Sequence, residues 1–296
     1  MKRKYELTEE TKILEGGTTL HRIRAARDFT LTNGMEVRSG DLGGFVETEG
    51  NLSHAGRAWI YDEAFVFGKA RIFDDALVFE KAKVFGEASI FGEARVYGEA
   101  YACGSARIFG KSQVYKNACI DDKAQIFCEA LICGDARVRG KAMIYGKACI
   151  CEGACVYDEA RVFDSAWIGG KATIYDKAAV HGGACVYDEA RICDDARIYG
   201  GARVYTHACI GGDAEVGATH DYAVFENTWS SGRYFTYTRS NRMWRVGCFH
   251  GTGAMLIAKA YRDGRLTGRC YEAIVRAQET IDKAFDEALA EKKEAK

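Results

Sequence analysis

From Ala58 to Ala214 every sixth residue is alanine, with the single exception of Ser112. Two places further on, from Ile60 to Val216, every sixth residue is isoleucine or valine, with the single exception of Ala102. The pattern runs through 27 consecutive hexads without an insertion. An α-helix, at about 3.6 residues per turn, drifts out of phase with a period of six, whereas a short strand followed by a corner keeps it. Residues two apart on a strand point the same way, so the alanine and the β-branched residue form one buried face. The period predicts a parallel β-solenoid.

The polar positions set the size of the coil. The place after the aliphatic residue is usually aromatic or cysteine, and the next is Gly or Asp in 21 of its 26 occurrences between Asp62 and Gly212. Glycine and Asp tolerate positive φ, which marks that place as the corner. If three hexads make a coil, residues 18 apart stack directly and avoid like charge. At that spacing the chain reads Glu93-Lys111-Glu129-Lys147, Lys141-Glu159-Lys177-Asp195 and Glu63-Lys81-Glu99, all alternating in sign. The aromatic place at the same spacing reads Phe73, Phe91, Phe109, Phe127, Tyr145, Phe163, His181, Tyr199. Three faces follow, with about nine coils at ~4.8 Å each, or about 43 Å of prism.

Three regions are therefore expected. Residues 1–50 lack the repeat and hold strand-like pieces such as Thr18–Arg24 and the glycine-rich Gly40-Asp-Leu-Gly-Gly-Phe-Val46. A solenoid exposes unpaired backbone at its end coil, so this region reads as the N-terminal cap. Residues 51–217 are the solenoid. Residues 218–296 read as a small α+β module: two strands within Arg233–His250 joined at Arg239-Ser-Asn-Arg242, a helix over Ala254–Arg262, and a longer one capped by Thr267 and running to about Lys292. Ile274, Ile281, Phe285 and Leu289 would form its apolar stripe.

Composition narrows the function classes. A net charge of −1 favours neither duplex nucleic acid nor an anionic membrane. Proline is absent, which fits a chain that pairs its backbone above and below every coil. The start, Met1-Lys-Arg-Lys-Tyr-Glu-Leu-Thr-Glu-Glu10, has no apolar stretch behind its basic residues, and no run approaches bilayer length. Twelve cysteines then read as reduced thiols, and a cytoplasmic protein is expected.

The aliphatic residue at i and small residue at i+4, as in Val96 and Ala100 or Ile144 and Ala148, resemble the hexapeptide-repeat proteins, whose fold is a left-handed parallel β-helix. One departure is that the family glycine directly after the aliphatic residue is displaced by one, with Tyr, Phe or Cys in its place. Ser231-Gly-Arg233 and Cys248-Phe-His-Gly-Thr252 further resemble bacterial and bacteriophage proteins of the YdcK type, often labelled acyltransferases from the repeat alone. The resemblance implies architecture, and it implies trimers. It also raises an acyltransferase reading, with acetyl-CoA held between subunits and a histidine as general base. The six histidines are His21, His54, His181, His207, His220 and His250. His181 falls in the aromatic ladder and His207 at a solvated corner, neither beside a protruding loop. A filament-forming protein, a third class, would need end-to-end stacking, which caps oppose.

Within the solenoid, Cys133, Cys149 and Cys151 share one outer face, as soft-metal ligands or as small hydrophobes in aromatic slots. No fourth ligand of the right type is in sight, so no metal is expected. The column Arg71, Arg107, Arg161, Arg197 would line an anion groove or cover neighbouring rings. The C-terminal module is the most site-like region. Ser231, Arg233, Tyr237, Arg239, Arg242, Trp244, Arg245, His250 and Thr252 combine guanidinium groups, rings and a helix N-terminus, which suit a phosphate, carboxylate or nucleobase. The bland alternative is a basic hairpin docked on acidic corners of the solenoid or on a second subunit. Strand alternation would put Arg233, Phe235 and Tyr237 on one face and Tyr234, Thr236 and Thr238 on the other. The expected function is that of a non-enzymatic scaffold whose module binds an anionic small molecule, a nucleotide or a protein partner, without a cofactor.

Overall fold

The structure is a computed structural model that describes residues 3–229 and 232–294. Five strands come first: β1 (Tyr5–Ile13), β2 (Thr19–Ala25), β3 (Phe29–Thr30), β4 (Glu36–Val37) and β5 (Leu42–Val46). Strands β6 (Trp59–Ile60) to β32 (Glu215–Val216) are two residues each, one per hexad. Every third strand joins the same parallel sheet, as Lys83↔Tyr101, Ser89↔Arg107 and Arg95↔Gln113 show, so the coil has 18 residues and three faces. The inward alanines and aliphatic residues are fully buried along the whole prism. Ser112, in an alanine slot, donates its hydroxyl to the Phe109 carbonyl at 2.9 Å. One face has a further level that the period does not announce. Phe45 and Val46 of β5 pair with Phe65 and Val66, at an offset of twenty residues rather than 18.

All 26 corner places from Asp62 to Gly212 have positive φ, including Glu80, Lys116, Cys128, Glu152 and Thr206. Corner carboxylates also reach the next coil. Asp62, Asp74, Asp122, Asp164, Asp176, Asp188 and Asp194 each accept the corner amide 18 residues on, at 2.7–3.2 Å. Asp at this place therefore both tolerates the left-handed conformation and supplies an acceptor to the coil above. Phe73 through Tyr199 stack as one ladder with centroids 4.6–5.8 Å apart. Arg71 and Arg107 lie over rings of this ladder, and Lys81–Glu99 and Lys141–Glu159 pair at 3.2 and 2.7 Å.

Each coil donates its amides to carbonyls of the following coil, as in Phe91 N–H to Ile108 and Phe109 N–H to Ile126. The prism is polar in consequence: its N-terminal end presents carbonyls, its C-terminal end amides. The N-terminal cap answers with donors. The ammonium of Lys4, itself fully buried, donates to the Ala58 carbonyl at 2.8 Å, and the Asn51 side-chain amide to Gly68 and Ala70 at 3.0 and 2.9 Å. Burial lowers the Lys4 ammonium to about 8. The antiparallel β1–β2 pair extends one solenoid sheet through β5.

The C-terminal module is a four-stranded antiparallel meander, β33 (Tyr222–Glu226), β34 (Tyr234–Thr238), β35 (Met243–Val246) and β36 (Phe249–Thr252), with helices α1 (Gly253–Asp263) and α2 (Arg265–Glu294). Sequence analysis anticipated two of these strands. β33 carries no turn signal of its own, and Gly247, at φ 57, turns the chain between β35 and β36. Cys248 lies in that turn. Helix α2 starts directly after Gly264, so Thr267 lies in its first turn rather than capping it. Its inner face is Tyr271, Val275, Gln278, Asp282 and Phe285, while Ile281 and Leu289 face outward. Among the described residues no helix is long and apolar enough to cross a membrane.

Candidate functional site

The module caps the solenoid's exposed amides with hydroxyl oxygens. Thr236 accepts Cys209 N–H at 2.8 Å, Ser240 accepts Glu215 N–H at 2.8 Å, Thr219 accepts Arg203 N–H at 3.2 Å, and the Tyr222 hydroxyl lies 3.4 Å from Tyr205 N. Strand alternation in β34 makes this arrangement: Thr236 faces the last coil while Phe235 and Tyr237 enter the module core with Trp244, Val246, Leu256 and Val275.

Arg245, on β35, ties the module to the solenoid through an ion pair. Its guanidinium donates to Asp194 Oδ2 at 2.7 Å and to Cys193 Sγ at 2.8 Å, and lies 3.7 Å from Cys209 Sγ. The backbone amide of Gly212, followed by Arg245, holds the Asp194 carboxyl below the usual carboxylate range. Glycine at 211 is what lets the pair form, since a Cβ there would sit 2.6 Å from both Arg245 Nη2 and Asp194 Oδ2. Asp176, Cys193 and Asp194 offer atoms within 4.8 Å of one another, the geometry of a metal cluster. The cation already among them is Arg245.

The residues singled out from sequence separate into two groups. Arg239 pairs with Asp286 at 2.7 Å and lies 4.0 Å over the Phe285 ring; Arg242, at φ 54 in the hairpin turn, is 4.0 Å from the same carboxylate. Tyr237 donates to Asp282, and Trp244 packs against Tyr237 with centroids 5.0 Å apart. Thr252 caps α1 by accepting Met255 N–H. These five lie between the sheet and the helices, where Tyr237, Arg242, Trp244 and Thr252 line a cavity of about 460 Å³. Arg233 and Arg245 instead face the last coils, and His250 lies over Gly212. Ser231 lies outside the described residues.

Two adjoining grooves open where module and solenoid meet. The larger, about 830 Å³, runs along β33 between Lys171, Asp188, Glu189, Tyr205, Tyr222 and Glu226. The smaller, about 240 Å³, is lined by Arg191, Cys209, Arg233, Arg245 and Gly247. They share Glu189, His207 and Tyr234. His207 forms the ridge between them, stacked flat on Tyr234 with centroids 4.2 Å apart and 3.3 Å from the Glu189 carboxylate. That corner is thus covered by the module rather than simply solvated. His181 stacks in the ladder on Phe163 at 4.6 Å.

Sequence analysis missed Arg191, Cys193 and Cys209. The available signal was a spacing of 16, since Cys103/Cys119, Cys133/Cys149 and Cys193/Cys209 all place one thiol after an aliphatic residue and the other before the aliphatic of the next coil. Burial raises Cys149, and raises Cys151 to about 12, so these thiols stay protonated at neutral pH. In two of the pairs the second thiol is drawn down instead, Cys119 to about 7 by the hydrogen bond from Cys103. A hydrogen bond from Cys193 pulls Cys209 down to about 6 against the effect of burial, with Arg245 and Arg191 assisting.

Fold and junction together define a parallel β-solenoid with both ends capped and a small α/β module on the C-terminal coil. Within it, residues 190–206, about one coil, match the family model of the YdcK beta solenoid repeat, which supports a YdcK-type solenoid protein. No curated protein matches the chain.

Proposed function

We propose that this protein is a rigid scaffold whose C-terminal module and last coils together bind an anionic small molecule, in the smaller junction groove. One observation carries the reading: three guanidinium groups from two separate structural units, Arg191 from the solenoid and Arg233 and Arg245 from the module, converge on one cavity. Arg245 is neutralised by Asp194, whereas among the described residues Arg191 and Arg233 have no ion-pair partner. Planar guanidinium donors at the mouth of a small cavity suit a phosphate or carboxylate. The aromatic larger groove beside it, with Tyr205, Tyr222 and the His207–Tyr234 stack, suits a ring attached to that anion.

A thermal-shift and calorimetric panel of inorganic phosphate, nucleoside phosphates and acyl-CoAs tests this. The expected result is a saturable rise in Tm with one class of anion, lost in the Arg191→Gln, Arg233→Gln double variant. No response beyond that of chloride at equal ionic strength would overturn it. The His207–Glu189 pair on the groove favours a second reading, a general base in acyl transfer. Acetyl-CoA binding together with turnover abolished by His207→Ala would select it.

A further inference from the structure

Cys209 and Cys193 lie on neighbouring coils of one face, where Arg191 is the direct register partner of Cys209 and Ile192 that of Ile210. Cys193 is 1% exposed and its thiol points to the Ile210 carbonyl at 3.6 Å, whereas Cys209 lines the smaller groove. One guanidinium, Arg245, reaches both sulfurs. Two thiols beside a fixed positive charge lose one proton readily and hold the second between them, and the sulfur that opens on the groove is Cys209.

We propose that Cys209 is a nucleophilic thiolate that captures disulfides of anionic thiols, a modification site resting on the anion-binding reading for its choice of reagent. The Cys209 thiolate attacks one sulfur of the reagent. The reagent's S–S bond breaks, a bond from Cys209 to that sulfur forms, and the second sulfur leaves as a thiolate carrying the electron pair. The incoming disulfide is itself the oxidant. Cys193 keeps its proton throughout.

The geometry also says where the reaction stops. Cys193 is two residues out of register with Cys209 and one coil away, which puts their Cα atoms at about 8 Å from strand rise and spacing. That exceeds the reach of an unstrained disulfide, roughly 4.4–6.8 Å. The mixed disulfide is therefore not resolved within the chain and persists until an external thiol removes it. Facing the sulfurs are Arg245 and Asp194, the Tyr175 hydroxyl, Asp176, and, across the groove, Arg191, Arg233, Glu189 and His207. In the matching pair Cys103/Cys119 the Cys103 thiol, with Arg137 and Arg139 near, draws Cys119 down to about 7, but among the described residues no guanidinium is bonded to either sulfur, so its reactivity reads the contribution of Arg245.

The test treats the full-length protein at pH ~6.5 with oxidised glutathione, which is anionic, or with neutral hydroxyethyl disulfide, and assigns modified cysteines by peptide mass spectrometry. Cys209 is expected to react before Cys128 and Cys248, although those two are exposed. Arg191→Gln, at a side chain that holds no docking contact, should slow both reagents by weakening the Cys209 thiolate, and should slow the glutathione reaction about tenfold more than the neutral one, the equivalent of one charge contact of ~1.4 kcal/mol. If Cys128 and Cys248 lead with both reagents, the thiolate assignment is overturned while anion binding, measured separately, stands. If Cys209 leads but Arg191→Gln leaves the ratio of the two reagents unaltered, the anionic class and the binding reading fall together.

Discussion

The solenoid and the C-terminal module solve the same problem, burying an apolar face and pairing the backbone around it, in opposite ways. In the solenoid each residue meets its counterpart 18 places away, so one contact is repeated along the prism: Phe on Phe, Lys on Glu, Asp on the next corner amide. In the module nearly every contact is made once. Arg245 on Asp194, Thr236 on Cys209 N–H and Tyr237 on Asp282 have no second copy. Repetition gives the solenoid rigidity, whereas unique contacts at the module close a groove whose walls come from two structural units.

The largest expected difference lies in core truncation. Trp244→Ala should cost the module about 3–5 kcal/mol, and Ile144→Ala the solenoid about 2–5 kcal/mol. The first should leave the solenoid folded, so that limited proteolysis releases the region after residue 217 from a stable core. The second should lower the unfolding midpoint of the prism as a whole. A single transition in both variants would show that the two regions unfold as one.

Next in size are the caps, where the polarity of the prism predicts non-interchangeable chemistry. Thr236→Val leaves the Cys209 amide without its acceptor, and Lys4→Met leaves the Ala58 carbonyl without its donor, each at about 1–3 kcal/mol. Thr236→Ser should restore stability in urea titrations. Gly211→Ala, forcing a Cβ onto the Arg245–Asp194 pair, should loosen the module and raise the apparent pKa of Cys209 read from alkylation rates.

The docking ion pair and the solenoid thiols should respond at opposite ends of the pH scale. The folded pKa of Asp194 is depressed, so its contribution is present above the unfolded carboxylate value and lost as pH falls through the folded one; docking weakens in acid. The folded pKa of Cys151 is raised, to about 12, so its contribution is complete below the ordinary thiol value and lost as pH rises from there towards 12. Stability of the solenoid should therefore decline above pH ~9, by up to ~1.4 kcal/mol per pH unit for each such thiol, and Cys151→Ala should flatten that slope. Denaturation midpoints followed across pH, with one probe in each region, check both.

The smallest effect is a gain. Thr206 is a β-branched residue held at φ 59 in the last corner of its column. Thr206→Gly should stabilise the final coil by about 1 kcal/mol, visible as a small rise in Tm.

The legibility of the chain follows the same division. The corner, the coil length, the ladder from Phe73 to Tyr199 and the alternating charges were readable because stacking turns sequence distance into spatial distance at a fixed 18. The extra level at Phe45 was not, since its offset is twenty. Of the expected site residues, Arg233 and Arg245 reach the junction groove, while Tyr237, Arg242, Trp244 and Thr252 line a separate cavity of about 460 Å³ against α2 and Arg239 pairs with Asp286. Composition and alternation located a basic, aromatic hairpin; they carry no information about which of its arginines faces α2 and which faces the last coils of the solenoid. Cys209 and Arg191 were hidden in plain repeat positions, where a cysteine or an arginine resembles any other.

By itself the amino-acid order determined the solenoid, because a six-residue apolar period admits one way of burying alanine and valine while pairing every backbone amide. The tertiary structure alone decided how that prism ends. Parallel stacking leaves carbonyls at one end and amides at the other, and the hydroxyls and guanidinium group that complete the amide end come from segments 16 to 51 residues further along, brought there by a fold with no period to announce it.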